Sequence, residues 1–504
     1  MIELKSIINL LSKQKLKQIE IITEEDSLSD KSKQLYVGIK NGKYLTDEDA
    51  SLDIYNEDPK NETYRKLKYR LQERLLNTLF FIDIQQYAKS NYEKALNRAY
   101  KNWSLNRILI EKGLRKVGVN LIENSLKACL KYDVIDLTVQ ITNSLKINYG
   151  LFNYNAYKFE KYSKLYKESL NKYLLENEAT HFYTILAHYV ISSKSIMYDD
   201  KIKAIEYELI ELYNKAKDVD IYFLQYYMLN ALYFLNMIKK DNIVLDQICD
   251  NAIDYFSKKI GFPNQGIFSF YQKKAITQLS LGNFESAIKY FNTCLDYKPT
   301  EGGITWQYLH NYIFHTQIIK KNYDEALKVI VKILGNKNFH KINETFKQPW
   351  YLKEAFIHFL IKIEKIDLDT AEIKGLRQFR LSRFVNEVSE FSKDKRGLNI
   401  TINIIQMLFL IIDNEYDKVL DKLAALKQYN FRYLKRPEYI RSSTFIKMLL
   451  KIPDENYNKA NVINKTEKLH KLLLDNPSDF SEQTLNIEII PYEQLWEEIL
   501  NILE

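Results

Sequence analysis

FSFYQKKAITQLSLGNFESAIKYFNTCLDYKPTE, residues 268–301, is the stretch whose reading decides the fold. Tyr271 and Ala275 stand one turn apart and share a face of a first helix. Gly282 supplies the open backbone of a turn, and Ala287 is small enough to let a second helix approach closely. Phe291 fills the space between the two helices, Cys294 continues the apolar stripe, and Pro299 stops the chain from going on as helix. The segment predicts an antiparallel helical hairpin.

Weaker copies of this pattern surround it. Asn322-Tyr323-Asp324-Glu325-Ala326 repeats the spacing of Phe284 and Ala287, as do Asn91-Tyr92-Glu93-Lys94-Ala95 and Glu415-Tyr416-Asp417-Lys418-Val419 towards the two ends. Hairpins therefore run from about residue 75 to about residue 475, room for about ten units of roughly 34–40 residues. Lys321 and Val419 stand where the first hairpin has glycine and alanine, which predicts altered crossing angles there. The breaker residues agree with an array. A chain of 504 residues has only 13 Gly and 8 Pro, with no proline from Lys60 through Gly261 and no glycine from Leu151 to Ile260. That leaves no turn chemistry for a mixed α/β fold, so long helices joined by short polar turns are expected.

On these residues, 268–301 resembles the tetratricopeptide repeat, with a lesser likeness at 308–338 and a weak one elsewhere. The resemblance implies an all-α protein, a right-handed superhelical array of antiparallel helix hairpins whose concave groove is lined by the first helix of each pair. Three parts are expected: a small helical domain at 1–75, an α-solenoid at 76–475, and a connector with a capping helix at 476–504. Gln272, Lys273 and Gln278 occupy variable positions of the first helix, and Trp306 and His310 belong to the corresponding helix of the next unit. These five are the candidate groove residues. The expected function is a non-enzymatic cytoplasmic scaffold or adaptor that holds a protein or peptide partner and needs no cofactor.

The first 75 residues suggest a second reading. Amphipathic helices at about 2–22 and 31–41 precede Gly42, Thr46 and Asp49 form a capping box for a short helix at 47–55, and Asp58-Pro59 turns the chain into a long helix from about 61. The arrangement resembles helix-turn-helix regulators that carry tetratricopeptide repeats behind a DNA-binding domain. Lys66, Arg70 and Arg74 then become candidate nucleic-acid contacts on the side opposite Leu67, Leu71 and Leu75. A winged helix would continue into a β-hairpin, yet 72–90 reads as helix. The alternative expectation is that the three leucines pack on the first repeat and the cations face solvent.

Composition narrows the remaining classes. With 46% hydrophobic and 27% charged residues the chain buries a continuous core, and a net charge of +8 spread over this length is a mild pull on polyanions. Cys129, Cys249 and Cys294 lie far apart in apolar helical patterns, which predicts buried reduced thiols. The seven histidines form no HExxH pair, and no phosphate-binding glycine loop or nucleophile elbow occurs, so no metal or catalytic site is expected. Residues 221–238 carry no charge, but Gln225, Asn230, Asn236 and four tyrosines point to a buried helix rather than a membrane span. At the far end, Leu495, Trp496, Ile499, Leu500 and Leu503 form one apolar face beside Glu493, Glu497 and Glu498, read as a cap on the open end of the array, with an exposed docking helix as the alternative.

Overall fold

The computed structural model describes residues 29–79, 90–192, 198–339, 342, 344–366, 376, 379–389, 398–434, 439–478 and 487–503. The helix expected at about 2–22 lies outside these residues. Among the described residues every regular element is helical and none is a strand. Contacts divide the chain into two compact units, residues 1–175 with 261–263, and residues 176–260 with 264–504.

The first unit opens with α1 (Asp30–Lys40), α2 (Asp47–Tyr55) and α3 (Glu62–Leu79). The expected capping box is present: the Asp49 amide donates to Thr46 Oγ1 at 3.2 Å while the Thr46 amide donates to Asp49 Oδ2 at 2.9 Å. Leu35, Tyr44, Ala50, Ile54, Tyr64, Leu67 and Leu71 form a small core of their own. The expectation that Leu67, Leu71 and Leu75 pack together on the first repeat is therefore corrected. Leu67 and Leu71 close this three-helix core, and Leu75 remains 39% exposed. Gly38 is fixed by close approach, since a Cβ there would lie 2.1 Å from the Tyr44 ring.

The same unit continues with α4 (Asn91–Glu111), α5 (Arg115–Lys131), α6 (Ile135–Ile147), a π-helical turn at Asn148–Phe152, and the first part of α7 (Ala156–Ser192). Glu123 on α5 accepts hydrogen bonds from Tyr149 at 3.0 Å, Lys158 at 3.1 Å and Tyr162 at 2.8 Å, which ties α5 to the start of α7.

The second unit takes the rest of α7 and then α8 (Asp200–Ala216), α9 (Tyr222–Lys239), α10 (Asn242–Ser257), α11 (Gln265–Ser280), α12 (Phe284–Asp296), α13 (Ile304–Ile319) and α14 (Tyr323–Leu334). It goes on through α15 (Glu344–Lys362), α16 (Leu381–Ser389), α17 (Leu398–Ile412), α18 (Tyr416–Tyr433), α19 (Ile440–Asp454), α20 (Lys459–Leu474) and α21 (Tyr492–Ile502). From α8 to α15 each helix packs on the next in chain order, and α17 to α20 do the same, which is the contact pattern of a helical repeat solenoid. We call the first helix of each hairpin the A helix and the second the B helix; α9, α11, α13, α15, α17 and α19 are A helices.

The hairpins share one turn. Lys240, Gly282, Lys321 and Asn414 all take left-handed φ values of 58°, 78°, 58° and 57°. The amide after each bonds five residues back, as Asn283 N to Gln278 O and Asn322 N to Gln317 O at 2.9 Å, and Asp241 N to Asn236 O at 3.1 Å. This is a helix-ending left-handed turn, and Lys321 adopts the backbone of Gly282 despite its side chain.

Within 268–301 the expected register holds: Ala275, Ala287, Phe291 and Cys294 are fully buried, and Phe291 stacks on Tyr312 of α13 at 5.3 Å. Ala287→Leu is therefore expected to overpack the contact and destabilise by about 1–3 kcal/mol, whereas Lys289→Ala, exposed on the same helix, leaves the melting temperature unchanged. Equal shifts for the two variants in thermal melts would contradict this register. The three cysteines are buried and unpaired, and burial pushes each thiol up to about 12, so none is poised to react.

Candidate partner-binding face

The A helices of the second unit differ in how much of their surface is covered. On α9 the polar side chains turn inward: Gln225 donates to the Ala216 and Val219 carbonyls at 3.0 and 2.9 Å, and Asn230 and Asn236 donate to carbonyls of their own helix at 2.7 and 2.9 Å. The residues left half-buried on that helix include Phe223, Tyr227 and Phe234, at helical spacing. Tyr183 of α7 joins them, its ring 5.7 Å from Tyr227 and 5.9 Å from Phe234, and Phe223 lies 6.1 Å from Tyr227. From α11, Lys273 reaches over Tyr233, Phe234 and Phe270 at 5.5, 5.9 and 5.4 Å from the ring centroids and donates to Ser269 Oγ at 2.8 Å. Loss of water around this ammonium lowers its pKa to about 8. The result is an aromatic patch across α7, α9 and α11 with one weakly solvated cation, suited to flat apolar groups and to hydrogen-bond or charge recognition at a single point.

The five candidate groove residues separate on this surface. Lys273 lies in the patch. Gln272 is half-buried on the same helix. Gln278 is buried and faces the preceding hairpin, donating to Asp246 of α10 and accepting from Asn283 at 3.0 Å. Trp306 and His310, expected at the groove, are only 5% and 1% exposed. Their rings meet at a tilt, 4.2 Å between centroids, and Lys332 of the B helix α14 lies 6.0 Å from the Trp306 ring, so both pack inside the hairpin. The neighbouring Lys274 is a structural cation held by Asp246 at 2.9 Å and Asp250 at 2.7 Å.

His310 carries its proton on Nδ1, 2.8 Å from the Trp306 carbonyl, and burial lowers its pKa to about 4; burial also holds His315 well below the ordinary histidine range. Depressed histidine pKa values mean that the unfolded chain binds more protons between about pH 4 and 6.5, so stability is full above that window and is lost as pH falls through it. Lowering the pH from 7.5 to 5 is expected to destabilise by about 2 kcal/mol through His310 alone. Denaturant titrations at the two pH values check this, and His310→Gln is expected to flatten the dependence.

Further along, the A-helix face is filled. Residues 487–503 return from the end of the chain and lie against α13, α17, α19 and the turn after α15. Thr401 of α17 donates to the Ile487 carbonyl at 2.7 Å, and Ile489 lies beside His315 of α13. Tyr492 stacks on Phe445 of α19 at 4.4 Å and an interplanar angle of 8°, with Trp496 edge-on to the same ring at 6.4 Å. Gln494 donates to the Ile318 carbonyl at 2.9 Å and to Tyr323 Oη at 2.8 Å, contacts spanning 176 and 171 residues of sequence. Charge pairs frame the segment: Arg441 with Glu488 and with Glu493 at 2.6 Å, Lys365 with Glu498 at 3.0 Å, and Lys321 with Glu497 at 2.8 Å. Burial raises the Glu488 carboxyl, and although burial also works against the Arg441 charge, the two carboxylates outweigh it and raise the guanidinium further. The sequence reading placed α21 as a cap on the open end; it does touch α20, but it reaches back to α13 and α14 and fills the A-helix face between.

Residues 268–301 match the family model of the tetratricopeptide repeat. No curated protein and no solved structure matches the chain. The matched repeat is α11 with α12, the hairpin that contributes Lys273 to the aromatic patch, and stacked tetratricopeptide repeats build extended surfaces on which other proteins are held. Among the described residues no helix is long and apolar enough to cross a membrane, and no group of His, Cys, Asp and Glu is placed to hold a metal ion.

The candidate nucleic-acid contacts lie on α3 of the first unit. Lys66 is exposed and ion-paired with Glu62 at 2.6 Å, Arg70 is exposed, and Arg74 is half-buried. The stretch after α3 where a wing would follow falls at 80–89, outside the described residues.

Proposed function

We propose that this protein is a non-enzymatic cytoplasmic scaffold or adaptor that holds a partner protein or peptide on the A-helix face of its second unit. The observation that carries this reading is the half-buried patch of Tyr183, Phe223, Tyr227, Phe234 and Lys273. Aromatic side chains that remain half-covered beside an uncharged helix gain most by a partner's contact. Three separate, unpaired buried thiols suit a reducing compartment. The nucleic-acid reading stands second, because one of its three cations is held by a carboxylate and another is half-buried.

Affinity capture from the native cell supplies the partner, and its binding to purified protein gives the test. Tyr227→Ala with Phe234→Ala is expected to weaken binding by about tenfold or more, while Lys289→Ala leaves it unchanged. Undiminished binding by the double variant would remove the patch from the site.

A further inference from the structure

The segment 487–503 has two properties that a permanent core helix does not need. It packs far out of order: besides its neighbour α20 it meets residues 171–176 positions earlier. It is also recognised by charge. Its carboxylates, Glu488, Glu493, Glu497 and Glu498, are each met by a cation from the array, and those cations come from three separate hairpins. Lys321 stands in the left-handed turn after α13, Lys365 follows the equivalent turn residue Glu364 after α15, and Arg441 opens α19. The repeated turn thus sets Lys321 and Lys365 at the ends of two A helices, and Arg441 adds a cation at the start of a third. Between them lies an apolar trough: Phe445 takes Tyr492 and Trp496, which are one helical turn apart.

The start of the segment is read differently from its helix. Before Pro491 it is not continuous helix, and the array takes hold of its backbone through Thr401, with His315 beside Ile489. A backbone contact to a non-helical stretch, followed by apolar anchors at helical spacing, suits a groove that holds a peptide. Every one of these contacts is supplied by the array, and none depends on the segment being joined to α20.

We propose that the sector formed by α13, α15, α17 and α19 is a receptor for acidic amphipathic helices bearing a Tyr-x-x-x-Trp anchor pair, with this chain's own 487–503 segment as its resident ligand. A partner segment of the same chemistry competes with it, so the sector is closed until such a partner displaces the tail. The proposal rests on the reading of the A-helix face as a partner surface, but it concerns a different sector from the aromatic patch. Loss of binding through Tyr227 and Phe234 leaves it standing, and its own failure leaves the patch untouched.

The test uses the full chain with a protease site inserted after Ser478, cut after folding, so that both fragments remain together. An uncut protein that melts like wild type shows that the insertion is tolerated. A fluorescent peptide of residues 487–503 is then added and its anisotropy followed. The expected result is saturable exchange into the cut protein, at least tenfold tighter than into the uncut one, where the tethered tail competes. Lys321→Glu with Lys365→Glu, both at the rim, is expected to weaken the peptide several-fold, and a scrambled peptide of the same composition is expected not to bind. A cut segment that stays bound for days without exchange would overturn the proposal by showing a permanent core element. Equal binding of the scrambled peptide would overturn it by showing unspecific apolar adhesion.

Discussion

Replacing Arg441 by alanine is expected to destabilise the second unit by about 3–5 kcal/mol, because it strands a buried carboxylate. Arg441 Nε lies 3.0 Å from Glu488 Oε2, the second arm of the guanidinium holds Glu488 and Glu493, and Nη1 donates to the Leu473 carbonyl at 3.0 Å. The side chains of Arg441 and Glu488 are only 12% and 4% exposed, so water cannot replace the lost partner. Lys321→Ala breaks an ion pair of the same segment, but that pair is 53% and 59% exposed, and a loss of about 0–1 kcal/mol is expected. Replacing Arg441 and Glu488 together by apolar residues of similar volume is expected to recover most of the loss, since a buried pair contributes little beyond a packed apolar pair. Denaturant midpoints of the three variants check this. An Arg441→Ala loss no larger than that of Lys321→Ala would show that Glu488 is not enclosed as described.

Trp496→Ala is expected to cost about 3–5 kcal/mol as well, through lost burial and the cavity left beside Phe445. Trp496 is 1% exposed, and its neighbours on the same face, Leu495 and Ile499, are as deeply covered. Trp496→Phe keeps much of the contact and is expected to lose less than half as much. An exposed docking helix would show neither effect, so the pair of variants, followed by urea unfolding, separates a buried segment from a free one.

The hairpin at 268–301 was legible because each of its constraints is local. Ala287 is small where helices meet, Gly282 is left-handed where the chain turns, and Thr46 and Asp49 cap a helix within four residues of each other. Lys321 and Lys240 show where local signals stop. The left-handed turn at these sites is imposed by the packing of the helices on either side, with no glycine to announce it. Trp306 and His310 fail as groove residues for a related reason. An A helix of an array is contacted by its own B helix, by the preceding B helix and by its A neighbours, so nearly the whole surface of α13 is buried, including Gln307, Asn311 and Gln317. Periodicity finds a buried face but cannot choose among several. The aromatic residues Phe223, Tyr227 and Phe234 did carry a signal, their helical spacing on an uncharged stretch, and it was absorbed by the question of membrane insertion. The tail could be read as a cap but not seated on α13 and α19, because an apolar face on α21 says that something covers it and nothing about what.

The central claim is that the end of the chain lies on the A-helix face of the array, and a zero-length carbodiimide cross-link tests it most directly. Lys321 Nζ and Glu497 Oε2 are 2.8 Å apart and both exposed, so activation of the carboxylate in the monomer is expected to join these two residues, 176 positions apart, in an isopeptide bond found by peptide mass spectrometry. Lys328 and Glu325, paired at 2.7 Å within α14, provide the internal control. Detection of both links is the predicted result; the control link without Lys321–Glu497 would contradict the placement of the segment.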